Sequence, residues 1–171
     1  MVMLTLNEFK NARSVLSGVI SKTSLVYSPA FSKATGNNVY IKPENMQITG
    51  AYKIRGAYYK ISTLTEEEKS RGLITASAGN HAQGVAYAAQ AAGVSATIVM
   101  PTTTPLVKVN NTKDYGADVI LHGETFDDAA ELAAKLSQEQ GLTGTRHAIP
   151  AECKCRRLRR AVRRFANWPK R

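Results

Sequence analysis

The sequence predicts an α/β fold in which an open parallel sheet is covered by helices on both faces, giving three layers. From Leu73 onward short apolar runs (Leu73 to Ala76, Ala96 to Met100, Val119 to Leu121) each precede a helical stretch. Such alternation means parallel strands joined by right-handed crossovers. The helical stretches also share a stop signal: they end at Gly93, Gly116 and Gly141, glycine being suited to the left-handed position that closes a helix. In sheets of this kind ligands sit beyond the carboxyl ends of the strands.

In chain order, Leu6, Phe9, Val15, Leu16, Val19 and Ile20 recur at helical spacing after Asn7, which predicts a helix over 7–20 with Asn7 as its N-cap. Leu25 to Tyr27, Phe31 to Lys33 and Val39 to Lys42 read as extended, with Gly36-Asn37-Asn38 turning between the last two. Pro43-Glu44-Asn45 leads into a helix that carries Lys53 and runs to about Leu64. Thr65-Glu66-Glu67-Glu68 is a capping-box signature for the next helix. The alternating part then supplies helices over about 82–92, 105–115 and 126–140. A compact α/β unit is expected over 53–144, with 1–52 as a segment that packs on it or on something further.

At 171 residues, 43% hydrophobic and 21% charged, the composition is that of a globular protein with room for one ordinary domain. No apolar run approaches the ~20 residues of a membrane span. Glu8, Lys10 and Arg13 near the start argue against a secretory signal, so a cytoplasmic protein is expected. The formal charge of +10 is uneven: residues 145–171 hold ten basic residues and one acid, Glu152. Basic residues there are mostly Arg, whereas those of the preceding part are mostly Lys, and both cysteines fall in the same stretch. Three readings compete for it. It could be a basic arm for nucleic acid or another anionic surface. Cys153-Lys154-Cys155 could suggest a metal, but the spacing is poor and no second pair exists, so no metal is expected. The third reading, preferred here, is translation in a shifted frame, which makes 145–171 foreign to the rest and a nucleic-acid partner unexpected.

Two stretches carry chemistry. Lys53 lies between Gly50-Ala51 and Gly56-Ala57, small residues that let a flat ring approach its amine. An unperturbed lysine has a pKa of about 10.4 and is almost wholly protonated at neutral pH. Covalent work therefore requires burial, a cationic neighbour, or capture as an imine by a carbonyl cofactor. Taken alone, Lys53 reads more simply as part of a solvated face with Arg55 and Lys60. The second stretch is Ser77-Ala78-Gly79-Asn80-His81-Ala82-Gln83-Gly84, at the end of the Leu73 strand. Ser77 or Asn80 can cap the helix there, and its free N–H groups attract a carboxylate or phosphate. Taken alone, Gly79 and Asn80 make a turn and His81 a surface cap. Together, a lysine in small surroundings and an anion-ready turn suit an imine-forming cofactor beside a substrate carboxylate.

Glu44-Asn45-Met46-Gln47-Ile48-Thr49-Gly50-Ala51-Tyr52-Lys53-Ile54-Arg55-Gly56-Ala57 and the Ser77 to Gly84 stretch closely resemble threonine dehydratases (threonine ammonia-lyases), pyridoxal-phosphate enzymes of the tryptophan synthase β-subunit fold type. The resemblance runs from near the N-terminus to about Thr143, and Val99-Met100-Pro101 and Gly116-Ala117-Asp118-Val119 fit it too. It implies the small domain of that fold over 53–144, with 1–52 belonging to an incomplete larger domain. Pyridoxal 5'-phosphate would be held by Lys53 as a Schiff base, with Asn80 on its phenolate oxygen. Ser77, Ala78, Gly79, Asn80 and His81 would hold the carboxylate of a small amino-acid substrate. The implied reaction is dehydration and deamination of threonine to 2-oxobutanoate, or of serine to pyruvate. Related serine racemases carry serine where this chain has Ala78, which favours dehydration. Thr49 and Gln83 match positions that bind an AMP effector at a dimer interface in catabolic members, although Ile48 stands where a basic residue is often found. A homo-oligomer is implied for a complete chain. The family's second half would add an aspartate-rich loop, a glycine-rich phosphate loop and a Ser or Cys facing the pyridine nitrogen. Gly123, Gly141 and Gly144 are isolated and make no such loop, so weak cofactor retention and little or no turnover are expected.

Overall fold

A computed structural model describes residues 5–145 of the protein. Its centre is a parallel sheet of β3 (Leu73–Ala76), β4 (Ala96–Met100), β5 (Asp118–Leu121) and β6 (Thr143–Gly144), in the order β5-β4-β3-β6. The crossovers are α5 (Asn80–Ala91), α6 (Leu106–Asp114) and α7 (Phe126–Glu139). Alternation along each strand splits the apolar residues between two faces. Leu73, Ile98 and Met100 pack with Val85, Ala88 and Ala89 of α5, Val109 of α6, and Ala57 and Ile61 of α3 (Lys53–Ser62). Ile74, Ala76 and Val99 pack with Ala129 and Ala133 of α7 on the other face. This is the expected three-layer arrangement.

Strand β3 and its neighbour β4 start and end where the sequence places them, and Gly93, Gly116 and Gly141 have φ of 68°, 78° and 68°. The Thr65 capping box is formed at α4 (Glu66–Ser70): Thr65 N–H donates to Glu68 Oε2 at 2.8 Å and Glu68 N–H to Thr65 Oγ1 at 3.1 Å. A second box, Thr125 with Asp128, opens α7. Strand β6 was not expected from the sequence. Two residues have no periodicity to read, and only the register Leu73↔Thr143 and Ile74↔Gly144 defines them. Thr145 continues this edge, its N–H donating to the Ile74 carbonyl at 2.8 Å. The basic stretch after it, with Cys153 and Cys155, lies outside the described residues.

The segment before Lys53 departs from expectation at two places. The first helix, α1, spans Leu6–Leu16 rather than 7–20, and its N-cap is Thr5, not Asn7. Thr5 and Glu8 form a reciprocal capping box there, a stronger start signal than a lone asparagine. Phe31 to Lys33 is not extended: it lies in α2 (Pro29–Thr35), capped by Ser28 with Pro29 in the first turn and closed by Gly36 at φ 69°. Serine cap, N-terminal proline and left-handed glycine are together a complete set of helix boundaries. Gly36 therefore ends a helix instead of turning a hairpin. The extended pieces that do pair are β1 (Val26–Tyr27) and β2 (Tyr40–Ile41), antiparallel with Val26 opposite Ile41.

This segment is joined to the sheet unit by polar links. Tyr87 Oη donates to the Val19 carbonyl at 3.0 Å, and Asn11 Nδ2 reaches Tyr59 Oη at 3.5 Å. The most connected group is Glu44, in a 3-10 turn over Glu44–Met46. Its carboxylate accepts from Arg55 Nε at 2.9 Å, Arg55 Nη2 at 2.8 Å and Thr23 Oγ1 at 2.7 Å, with Lys42 Nζ at 3.6 Å. Burial alone would raise the Glu44 carboxyl, but the hydrogen bonds from Arg55 and Thr23 and the charges of Arg55 and Lys42 outweigh it and hold it below 4.5. A depressed folded-state carboxyl contributes stability that is present above the unfolded value and lost as pH falls through the folded one. Glu44→Gln is accordingly expected to cost about 1–3 kcal/mol at neutral pH. The cost should shrink toward zero as pH falls through the lowered folded-state value of the Glu44 carboxyl. A urea series across pH checks this, and a cost that stays constant into acid would refute it.

Candidate active site

The site forms where the N-termini of α3 and α5 meet at the carboxyl end of β3. Lys53 is the first residue of α3 and is half-buried. Asn80 is the first residue of α5 and is exposed. The two helices touch through Gly84. A Cβ built on it would lie 3.3 Å from Ile54 N, 3.4 Å from Ile54 Cα and 3.4 Å from the Lys53 carbonyl carbon. Asn80 lies four residues before Gly84, so it sits one turn along the same face of α5. The close backbone approach thus sets the amine-bearing turn of α3 beside the start of α5, the pairing proposed from the sequence.

Glycine at mid-helix costs about 1 kcal/mol relative to alanine. Gly84→Ala should not recover that energy, because the atoms it would meet are backbone and cannot rotate aside. No rise in melting temperature is expected, and a clear rise would show that α3 and α5 can separate at no cost.

The turn between β3 and α5 is built differently from the capping read in the sequence. The N-cap is Gly79, and neither Ser77 nor Asn80 provides a side-chain cap. Ser77 is buried, its N–H donates to the Val99 carbonyl at 3.0 Å, and its hydroxyl accepts from Gly79 N–H at 3.4 Å. The hydroxyl is one residue too early to reach the first helical turn. No hydrogen-bond acceptor for the N–H of Ala78 or of Asn80 is found among the described residues. His81 is buried, not a surface cap. Ala78 and Gly79 are half-buried.

Thr49 and Gln83, the effector candidates, are both buried. They do not bond each other, but they flank one cluster. Tyr115 Oη donates to the carbonyl of Ile48, next to Thr49, at 3.0 Å. Tyr115 also meets Tyr87 edge-on, ring centroids 5.6 Å apart, and Tyr87 lies one turn beyond Gln83. Burial, the nearby Tyr87 and the charge of Asp114 push the Tyr115 phenol up. Thr49 Oγ1 is buried with no partner among the described residues.

Three residues near the site escaped the sequence reading. Arg55, taken as a solvated cation, is clamped by Glu44 and so anchors the first turn of α3. Tyr115 joins α6 to the residues before Lys53. Lys108 Nζ lies 3.9 Å from the place a Gly79 Cβ would occupy, so an ammonium overlooks the turn. A lone lysine or tyrosine in α6 carries no local signal. Only an alternation of like helices can be read there, and the fold decides what each faces. Among the described residues no group of His, Cys, Asp or Glu could hold a metal ion, and no helix is long and apolar enough to cross a membrane.

A lysine amine and an exposed amide on adjoining helix N-termini fit a carbonyl cofactor, and a turn with unspent N–H groups fits an anionic ligand. An L-threonine ammonia-lyase of Thermotoga maritima is 52% identical over 139 residues, which are 81% of this chain and 35% of that protein. A catabolic L-threonine dehydratase of Staphylococcus aureus is 46% identical over 142 residues, 82% of this chain and 41% of its own length. Among solved structures, the processed form of threonine deaminase isoform 2 from Solanum lycopersicum superposes with a TM-score of 0.73 at 42% identity, covering 84% of this chain and 41% of that one. Maize serine racemase superposes with a TM-score of 0.80 at 31% identity, covering 87% and 45%. The chain thus spans less than half the length of these relatives. The sequence profile described as pyridoxal-phosphate dependent enzyme matches residues 16–150, and the chain belongs to that family.

Proposed function

We propose that Lys53 is the cofactor-bearing lysine of an enzyme that dehydrates and deaminates L-threonine, or L-serine, to a 2-oxo acid and ammonia. The observation that carries this reading is the Gly84 contact, which fixes the Lys53 turn beside Asn80. Bound there, pyridoxal phosphate supplies an electron sink that makes the α-proton of an amino acid removable. Lys53 would hold the cofactor through its Nζ and would serve as general base toward the α-proton. The Asn80 amide would donate to the cofactor's ring oxygen. The substrate carboxylate lies against Ser77, Ala78, Gly79, Asn80 and His81, where the unspent N–H groups of Ala78 and Asn80 and the positive end of α5 offset its charge. Ala78 has no hydroxyl with which to return a proton to the opposite face, so elimination prevails over racemisation. Threonine is the preferred substrate by likeness to the Thermotoga and Staphylococcus proteins.

Thr49 and Gln83 are proposed as an effector site for AMP. The buried, unsatisfied Thr49 hydroxyl and the adjoining Tyr115–Tyr87 pair support it. The same reading gives 1–52 to a larger domain and 53–144 to the small one, in a cytoplasmic homo-oligomer. Its test is reductive trapping of the cofactor on Lys53 together with 2-oxobutanoate release from threonine.

A further inference from the structure

Lys108 overlooks the turn of the candidate site and has no partner of its own there. It is half-buried on α6, with its Nζ 3.9 Å from the place a Gly79 Cβ would occupy. No other atom of the described residues beyond the turn comes within 4 Å of that place. Among the described residues the Lys108 ammonium makes no hydrogen bond or ion pair. Neither α5 nor α6 has an acidic residue in its first turn. Lys108 is the third residue of α6, where a cation meets the positive end of the helix dipole and is disfavoured. Its backbone is nonetheless firmly placed. Lys108 N–H donates to the Pro105 carbonyl at 2.9 Å, Thr112 Oγ1 donates to the Lys108 carbonyl at 2.8 Å, and Val109 and Thr112 are buried. Four residues before Lys108, the buried Thr104 hydroxyl also finds no hydrogen-bond partner among the described residues. Polar groups left unmatched within a fold are those that a ligand or ion completes.

We infer that Lys108 binds the substrate carboxylate from across the turn, as a further substrate-binding residue of the reaction proposed above, on which this inference rests. The turn supplies the N–H groups of Ala78 and Asn80, and Lys108 supplies the full positive charge that backbone dipoles lack. Two backbone donors and one ammonium suit the two oxygens of a carboxylate. A phosphate, with three terminal oxygens and up to two charges, is a poorer match to three donors. The positive ends of α5 and α6 act in the same sense, and no acid in either first turn opposes them. Gly79 keeps the approach open. Its backbone is extended at φ −149°, so glycine is not required there for a left-handed turn. A side chain at this position would instead point toward the ammonium, into the space the carboxylate needs.

The test follows the backbone amides of Ala78, Gly79 and Asn80 by heteronuclear NMR in the full chain without cofactor. Three ligands are titrated: L-threonine, L-threoninol, which lacks the carboxylate, and inorganic phosphate. Threonine should shift these amides, threoninol should not, and phosphate should bind more weakly than threonine. Lys108→Met should weaken threonine binding about tenfold, the loss of one hydrogen bond between charged groups. Lys108→Arg should restore most of it. Lys113→Met removes the same charge from the last turn of α6 and should change nothing. Circular dichroism of each variant confirms folding. No response to threonine, an equal response to threoninol, tighter Lys108-dependent binding of phosphate, or indifference to Lys108→Met would overturn the inference. Failure to trap cofactor on Lys53 while the Lys108-dependent response persists would refute the proposed reaction and leave the carboxylate contact standing. Trapping on Lys53 with indifference to Lys108→Met would do the reverse.

Discussion

Under the proposed reaction, Lys53→Ala is expected to abolish covalent capture of pyridoxal phosphate and to lower whatever threonine deamination the protein supports by about 10²–10⁴-fold, the range for losing a positioned general base. Both proposed roles end with the same amine, so the loss should exceed that of any other single side chain at the turn. Borohydride reduction followed by peptide mass analysis reads the first role directly: the cofactor mass should sit on the peptide containing Lys53 and vanish in the variant. That readout needs attachment alone, not turnover. Asn80→Ala, which leaves the amine in place, should still be trapped. Cofactor mass found on Lys108, or undiminished labelling of Lys53→Ala, would remove Lys53 from its role. Helix content should be unaffected, because alanine favours a helix at least as well as lysine.

Ile54→Ala should be the most damaging truncation near the site, at about 2–5 kcal/mol. Ile54 is fully buried, and its backbone is what Gly84 packs against. Against a typical total of about 5–15 kcal/mol this is a large share. The cavity would open where α3 meets α5, so cofactor capture should weaken together with stability. Urea unfolding measures the first and trapping the second. A cost below about 1 kcal/mol would mean that α5 collapses onto the gap, contrary to a contact between backbones that are already close.

Strands β3 and β4 were legible because each is buried and apolar along its length, bounded by a glycine and a helix with its own stop. Thr65 and Glu68 announced their capping box because both partners lie within four residues. The same logic, applied fully, would have moved the first start from Asn7 to Thr5 and turned Phe31 to Lys33 into a helix, since Ser28, Pro29 and Gly36 bracket it. In these short elements boundary chemistry, not apolar periodicity, sets where the helix begins and ends.

By itself the sequence determined the layered α/β plan, the family, and the two stretches of the candidate site, because each rests on local signals or on short runs of specific residues. The tertiary structure alone decided the pairing of β6 with β3, the clamp of Glu44 on Arg55, the position of Tyr115 under Ile48, and Lys108 above Gly79. Each of these joins residues eleven or more apart along the chain. Gly84 stands between the two kinds: a glycine read in the sequence as part of a motif. Its reason appears only when α3 is seen 3.3 Å from where its side chain would begin.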